Sequence, residues 1–191
     1  MSDVLIFLGS PRKKGNSEVL IDSLVQGIEE ASGTAEIIRV ADHDIAPCIG
    51  CGGCDKTGLC VVDDEMQPLY DKITSARRII LASPVYFYSI TAQLKALVDR
   101  CQALWNQKRL TSKAGPGQEH QDRKGYLVSV AATRGDRVFE GSVLVAKYFC
   151  DATGIEYAGE LLVRGIDHRG AMAKDLASIE KAVDFGRKCL A

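Results

Sequence analysis

Val4-Leu5-Ile6-Phe7-Leu8-Gly9-Ser10-Pro11-Arg12-Lys13-Lys14-Gly15-Asn16-Ser17 opens as an unbroken apolar run and turns abruptly polar. An apolar run this short is no helix, and without alternation it reads as a strand buried on both faces. Beyond the loop, Leu20, Leu24, Val25 and Ile28 recur at helical spacing and mark one face of a helix. The unit strand, loop, helix repeats along the chain. Ile37-Ile38-Arg39-Val40 gives a second strand, and Met66, Leu69, Tyr70 and Ile73 give a second helix with Asp63 or Asp64 as its N-cap. Ile79-Ile80-Leu81-Ala82 is the third strand, stopping at Ser83-Pro84, and a third helix carries Leu94, Leu97, Val98, Cys101, Leu104 and Trp105. Residues 106–124 are polar, charged and glycine- or proline-containing without an apolar period, which predicts a long surface loop, either a mobile connection or a functional lid. Tyr126 to Ala132 is strand four, Val138 to Ala152 a helix and Ile155 to Val163 strand five. Met172, Leu176, Ile179, Val183, Gly186 and Leu190 form the stripe of a closing helix.

Strands alternating with helices predict an α/β fold, a five-stranded parallel sheet covered on both faces, with right-handed crossovers. The expected order is 2-1-3-4-5, which puts a ligand beyond the carboxyl ends of the strands, between strands one and three. Two loops fall there. In Ser10 to Ser17 the hydroxyls of Ser10 and Ser17, the cations of Arg12 and Lys13, Asn16 and the helix N-terminus suit a monophosphate. A plain turn with a capped helix is the alternative. The stretch lacks both the nucleotide-triphosphate loop G-x-x-x-x-G-K-[ST] and the dinucleotide pattern G-x-G-x-x-G. In the second loop, Pro84, Val85, Tyr86, Phe87 and Tyr88 can border a flat ring, although aromatics at a strand end also serve as core caps. Monophosphate and flat heteroaromatic head together describe FMN.

Between the second strand and second helix lies Cys48-Ile49-Gly50-Cys51-Gly52-Gly53-Cys54-Asp55-Lys56-Thr57-Gly58-Leu59-Cys60, with spacing C-x2-C-x2-C-x5-C. It holds four of the seven cysteines, and its glycines free the backbone to wrap a small object. The spacing suits a [4Fe-4S] cluster on Cys48, Cys51, Cys54 and Cys60. Zinc, which usually takes two separated knuckles, and reduced or redox-paired thiols are the rivals.

The 191 residues predict a single domain, 1–191, with the cysteine-rich stretch as an insertion at 46–64. A net charge of −1 argues against a nucleic-acid or acidic-membrane partner. With no apolar run of about 18 residues and no signal-peptide pattern, a cytoplasmic location and no membrane partner are expected. His43, His120 and His168 lack motif context and read as surface or hydrogen-bonded residues, while Cys101, Cys150 and Cys189 sit in helical patterns as packing residues.

Gly9-Ser10-Pro11-Arg12 with Gly15-Asn16-Ser17, Ala82-Ser83-Pro84-Val85-Tyr86, and Gln93-Leu94-Lys95 with Asp99-Arg100 resemble the NADPH-dependent FMN reductase group of flavodoxin-like proteins. The likeness covers roughly the first 100 residues. Ala46-Pro47 leading into the four cysteines, followed by Val62-Asp63-Asp64-Glu65-Met66, is similar to the iron-sulfur flavoproteins within that group. The resemblance implies FMN, a [4Fe-4S] cluster on those cysteines, NAD(P)H as a candidate electron donor, and a homodimer or homotetramer in which cluster and flavin of neighbouring subunits approach. Thr133-Arg134-Gly135-Asp136 stands where a third flavin loop would be, and Thr133 and Gly135 are its candidate contacts; a bare polar turn fits the wording equally. The implied function is an FMN-dependent oxidoreductase exchanging electrons with small-molecule or protein donors and acceptors. It needs no catalytic side chain. A cluster-free NAD(P)H-dependent FMN or quinone reductase and a zinc-stabilised binding module are the alternatives.

Overall fold

The computed structural model describes residues 2–113 and 122–190. Its elements, in chain order, are β1 (Val4–Leu8), α1 (Asn16–Glu30), β2 (Ala35–Arg39), α2 (Gln67–Ser75), β3 (Arg78–Pro84), α3 (Ala92–Arg100), α4 (Gln102–Lys113), β4 (Lys124–Ala131), α5 (Glu140–Thr153), β5 (Glu156–Arg164) and α6 (Leu176–Cys189). The five strands form one parallel sheet, as the alternating pattern predicts, and their order β2-β1-β3-β4-β5 is the one expected. Leu8 pairs with Arg39 on one side and Ala82 on the other, so the loops after β1 and β3 leave the same edge side by side.

Successive strand residues point to opposite faces, and each strand therefore feeds two cores. Leu5, Phe7, Ile79, Leu81 and Leu127 pack against α2, α3 and α5 through Leu69, Ile73, Leu94, Leu97 and Phe149. Val4, Ile6, Leu8, Ile80, Ala82 and Val128 pack against α1 and α6 through Leu20, Ile21, Leu24, Ile28 and Ala182. The α1 and α6 backbones meet at two glycines. A Cβ on Gly27 would lie 1.9 Å from the Val183 carbonyl oxygen, and one on Gly186 would lie 2.1 Å from that of Leu24.

The structure corrects several boundaries. The single helix expected through Trp105 is two, because α3 ends at Arg100 and α4 starts at Gln102 after a turn at Cys101. The long surface loop expected at 106–124 is helical up to Lys113, while 114–121 lie outside the described residues. The helix survives there without an apolar stripe because its polar side chains have partners: Asn106, Lys108 and Arg109 reach Asp55 and Asp151. Neither Asp63 nor Asp64 is the N-cap of α2. That position is Met66, whose amide donates to Asp64 Oδ1 at 3.0 Å, while the same carboxylate pairs with Arg100. Leu176 begins α6 facing solvent, and Met172 sits in a preceding 3-10 turn, with Asp175 capping the helix. Among the described residues, no helix is long and apolar enough to cross a membrane.

Candidate cofactor site

The carboxyl ends of β1, β3 and β4 are stitched together by buried hydroxyls. Ser129 Oγ donates to the Ser83 carbonyl at 2.9 Å, and Ser83 Oγ accepts from the Thr91 amide at 3.0 Å. Thr91 caps α3 and donates its own hydroxyl to the Gly9 carbonyl at 2.7 Å. All three hydroxyl residues are fully buried. Gly9 is required at this approach, because a Cβ there would lie 2.7 Å from Leu94 Cβ and 3.0 Å from Thr91 Oγ1. The loops leaving these ends therefore stand on a rigid edge.

In the first loop Ser10 and Ser17 are buried, while Arg12 and Lys13 are exposed. Arg39 donates to the Ser10 carbonyl and pairs with Glu18 at 2.6 Å, and the Lys14 amide also donates to Glu18. The α1 N-terminus carries no side-chain cap, so its first-turn N–H groups stay available for an anion. Asn16 is tied to the far end of the chain. Its Nδ2 donates to the His168 carbonyl at 2.9 Å and its Oδ1 accepts from the Met172 amide at 3.2 Å. Arg169 adds a bond to the Lys13 carbonyl at 2.8 Å. Asn16 thus braces the loop against a segment some 152 residues downstream.

The second loop is a tight reversal in which Tyr86 and Ser89 exchange backbone hydrogen bonds of 2.9 and 3.1 Å. Phe87 and Tyr88 occupy its tip at φ 48° and 62°, a left-handed region that side chains beyond glycine and asparagine rarely enter. Phe87 is fully exposed, Tyr86 and Tyr88 partly so, while Pro84 and Val85 are half-buried behind them. Backbone strain of this kind clusters at active sites and ligand clamps. Phe87 and Tyr88 are not core caps. Gly141 lets α5 abut the Tyr88 carbonyl, which would lie 2.3 Å from a Cβ there. The Tyr88 hydroxyl comes within 3.9 Å of the Cβ position of Gly135. The aromatic tip and the exposed Thr133-to-Gly135 turn are thereby neighbours.

The four cysteines of the third segment line one cavity of about 220 Å³. Cys48 and Cys51 are exposed, and Cys54 and Cys60 half-buried. Gly50, Gly52 and Gly58 adopt φ of 65°, 70° and 71°, which bends the backbone around the space. Gly58 is also the point of contact with α4, since a Cβ would lie 2.8 Å from Gln107 Cβ. Asn106 Nδ2 donates to Cys54 Sγ at 3.2 Å and to Asp55 at 3.1 Å, and Arg109 donates to the Asp55 carbonyl at 2.9 Å. Below the cavity lies Arg100, 1% exposed. It is paired with Asp64 at 2.6 Å and donates to the carbonyls of Ala46 and Val62 at 3.0 and 3.1 Å, clamping both ends of the segment. Burial raises the Cys60 thiol, but the Val62 amide, the Tyr70 hydroxyl and the Arg100 cation outweigh it and hold the thiol below its ordinary value. Among the described residues, no three His, Cys, Asp or Glu side chains are grouped tightly enough for one metal ion. Cys101, Cys150 and Cys189 are buried elsewhere, their thiols pushed up to about 12 by desolvation, as suits packing residues.

Sequence reading found the loops and the cysteines but missed Thr91, Ser83, Ser129, Asn106 and Arg109. A polar residue interrupting an apolar stripe, as Asn106 does after Leu104, was the available signal. The family model for NADPH-dependent FMN reductase matches residues 2–149, and the chain belongs to that family. An iron-sulfur flavoprotein of Methanocaldococcus jannaschii is 40% identical over 107 residues, covering 56% of this chain and 55% of that protein. An iron-sulfur flavoprotein of Methanosarcina thermophila is 40% identical over 92 residues, covering 48% of each. The chain thus spans about half the length of these curated relatives. The solved azoreductase of Bacillus anthracis superposes with a TM-score of 0.71 at 16% identity, over 98% of this chain and 100% of that one, a likeness of fold.

Proposed function

We propose that the chain is an FMN-dependent oxidoreductase in which FMN and a [4Fe-4S] cluster exchange electrons. The observation that carries the cluster half is that Cys48, Cys51, Cys54 and Cys60 ring one cavity of about 220 Å³. One water needs only about 15 Å³ of such space, so this ring suits a polynuclear centre better than an ion. Among the described residues the thiols are not gathered around one point, which by itself separates neither zinc nor a cluster from free thiols. That spread also suits the cluster-free reading, an NAD(P)H-dependent FMN or quinone reductase whose cysteines remain thiols. The 40% identity to proteins named iron-sulfur flavoproteins favours the cluster.

On the flavin side, the uncapped N-terminus of α1, the buried hydroxyls of Ser10 and Ser17 and the cations of Arg12 and Lys13 would hold the phosphate. Asn16 positions that loop through its bonds to His168 and Met172. Pro84, Val85, Tyr86, Phe87 and Tyr88 would wall the ring, with Thr133 and Gly135 at its edge. When bound, flavin supplies two-electron or one-electron exchange and the cluster one-electron exchange. The protein's part is to orient both, exclude water behind the aromatic turn and leave Cys48 and Cys51 near the surface, where a second subunit could approach. A homodimer or homotetramer is the assembly this reading expects, and the exposure of Cys48 and Cys51 supports it. NAD(P)H or a reduced protein would be the donor.

Single Cys→Ser variants at the four positions, purified without oxygen, test this reading. Each is expected to lose iron and sulfide while keeping FMN, and Arg12→Ala is expected to do the reverse. Equal iron content in the four variants and the parent would sink the assignment.

A further inference from the structure

The donors around the cysteine cavity are arranged asymmetrically. Arg100 is 1% exposed and lines the cavity. Its Nη1 and Nη2 each donate twice, to Ala46, Val62 and both Asp64 oxygens, which fixes the guanidinium plane. A guanidinium has five N–H donors, and the remaining one, on Nε, is buried with no partner. Buried donors without acceptors are rare in folded proteins, and each calls for a missing one. Asn106, also 1% exposed, already directs its Nδ2 to Cys54 Sγ at 3.2 Å. Arg100 is the last residue of α3, next to the turn at Cys101, and Asn106 lies one helical turn into α4, the helix that leaves that turn. The side chains are thus presented by one rigid corner.

Resting on the cluster reading above, we propose that Arg100 Nε and Asn106 Nδ2 are hydrogen-bond donors to the sulfur shell of the centre held by Cys48, Cys51, Cys54 and Cys60, and that they set its reduction potential. Neither residue binds iron; both act through sulfur, as positioning residues. When bound, a cluster there would take up one electron on reduction, and N–H donors to its sulfurs would favour that added negative charge. Hydrogen-bond donors on that side would stabilise the reduced form more than the oxidised form and so raise the potential. Asp64 neutralises the Arg100 charge but takes none of the Nε hydrogen bond.

The test is a redox titration of anaerobically purified holoprotein with dithionite as the one-electron reductant, following the cluster by EPR and the flavin by absorbance. Asn106→Leu removes the amide at similar volume, and Arg100→Lys keeps the charge, removes the Nε donor and leaves three N–H groups for the four acceptors that Arg100 now holds. Each variant is expected to favour the oxidised cluster about tenfold more than the parent, a fall of about 59 mV for a one-electron couple, with the flavin midpoints unmoved. Asn106→Ser is the second choice should leucine disturb the corner. Unchanged cluster midpoints in variants with full iron content would overturn the proposal. Loss of iron from both Asn106 variants, with FMN retained, would also overturn it, by making the residue a clamp and not a tuner. Parent protein that holds FMN but neither iron nor sulfide would instead defeat the underlying cluster reading.

Discussion

Replacing Phe87-Tyr88 by Asn-Gly is expected to make the flavin-free protein more stable and a poorer flavin binder. Both residues sit at positive φ, 48° and 62°, in a two-residue reversal that asparagine and glycine fill without penalty. A side chain in that region costs about 1–2 kcal/mol per residue, so relief amounts to about 2–4 kcal/mol. Against it stand the partial burial of Tyr88, worth about 1 kcal/mol, and the unfolded-state freedom of an added glycine, about 0.5–1 kcal/mol. Phe87 is fully exposed and surrenders no burial. The balance is about 1 kcal/mol of stabilisation, which for a chain of this size raises Tm by about 2–4 °C. Calorimetry on flavin-stripped parent and variant measures the first effect, and FMN titration by fluorescence quenching the second. A Tm that is unchanged or lower would refute the strain argument. A raised Tm with undiminished FMN affinity would show that the turn is no wall of the flavin site.

Removing the Asp64 partner of Arg100, as Asp64→Asn, leaves a buried cation with one acceptor fewer and should cost about 3–5 kcal/mol in chemical denaturation. The same pair predicts a pH dependence. Burial alone would raise the Asp64 carboxyl, but Arg100 and the amides of Ala46 and Met66 outweigh it and hold it below its ordinary value. A carboxyl depressed in the folded state adds stability above its unfolded pKa, so this share should persist at neutral pH and disappear as acid approaches the folded value; a parent and Asp64→Asn difference that stays constant down to pH 3 would contradict it. Gly27→Ala should lose about 1–3 kcal/mol from the overlap with the Val183 carbonyl, and an unchanged Tm would show that α1 and α6 can part freely. Cys101→Ala, Cys150→Ala and Cys189→Ala should leave iron content intact, since these thiols are buried away from the cavity; iron loss in any of them would redraw the ligand set.

Much of the fold was legible because buried parallel strands such as Val4 to Leu8 and Ile79 to Ala82 are short apolar runs with few other readings. The alternation with helices left the strand order open; 2-1-3-4-5 is the favoured order, and the sheet has it. What escaped was long-range or side-chain specific. The polar face of α4 looks like loop because its stability comes from bonds to Asp55 and Asp151, which no local period reveals. Asp64 sits where a cap belongs, and only folding brings Arg100 to claim it. The site was legible at the level of segments. Asn16 was found as a loop residue, but its task became visible only when His168 and Met172 arrived from the far end of the chain. Asn106 and Arg100 could not be tied to the cysteines without the corner that carries them.

The most direct measurement is the cofactor content of parent protein produced with full cluster-assembly capacity and purified without oxygen. Iron, acid-labile sulfide and FMN are quantified on one sample together with its visible spectrum. The account predicts about four iron and four sulfide per FMN, with a broad iron-sulfur shoulder beneath the flavin bands that disappears when any of Cys48, Cys51, Cys54 or Cys60 becomes serine. Protein that carries FMN with clean flavin bands and neither iron nor sulfide would contradict it.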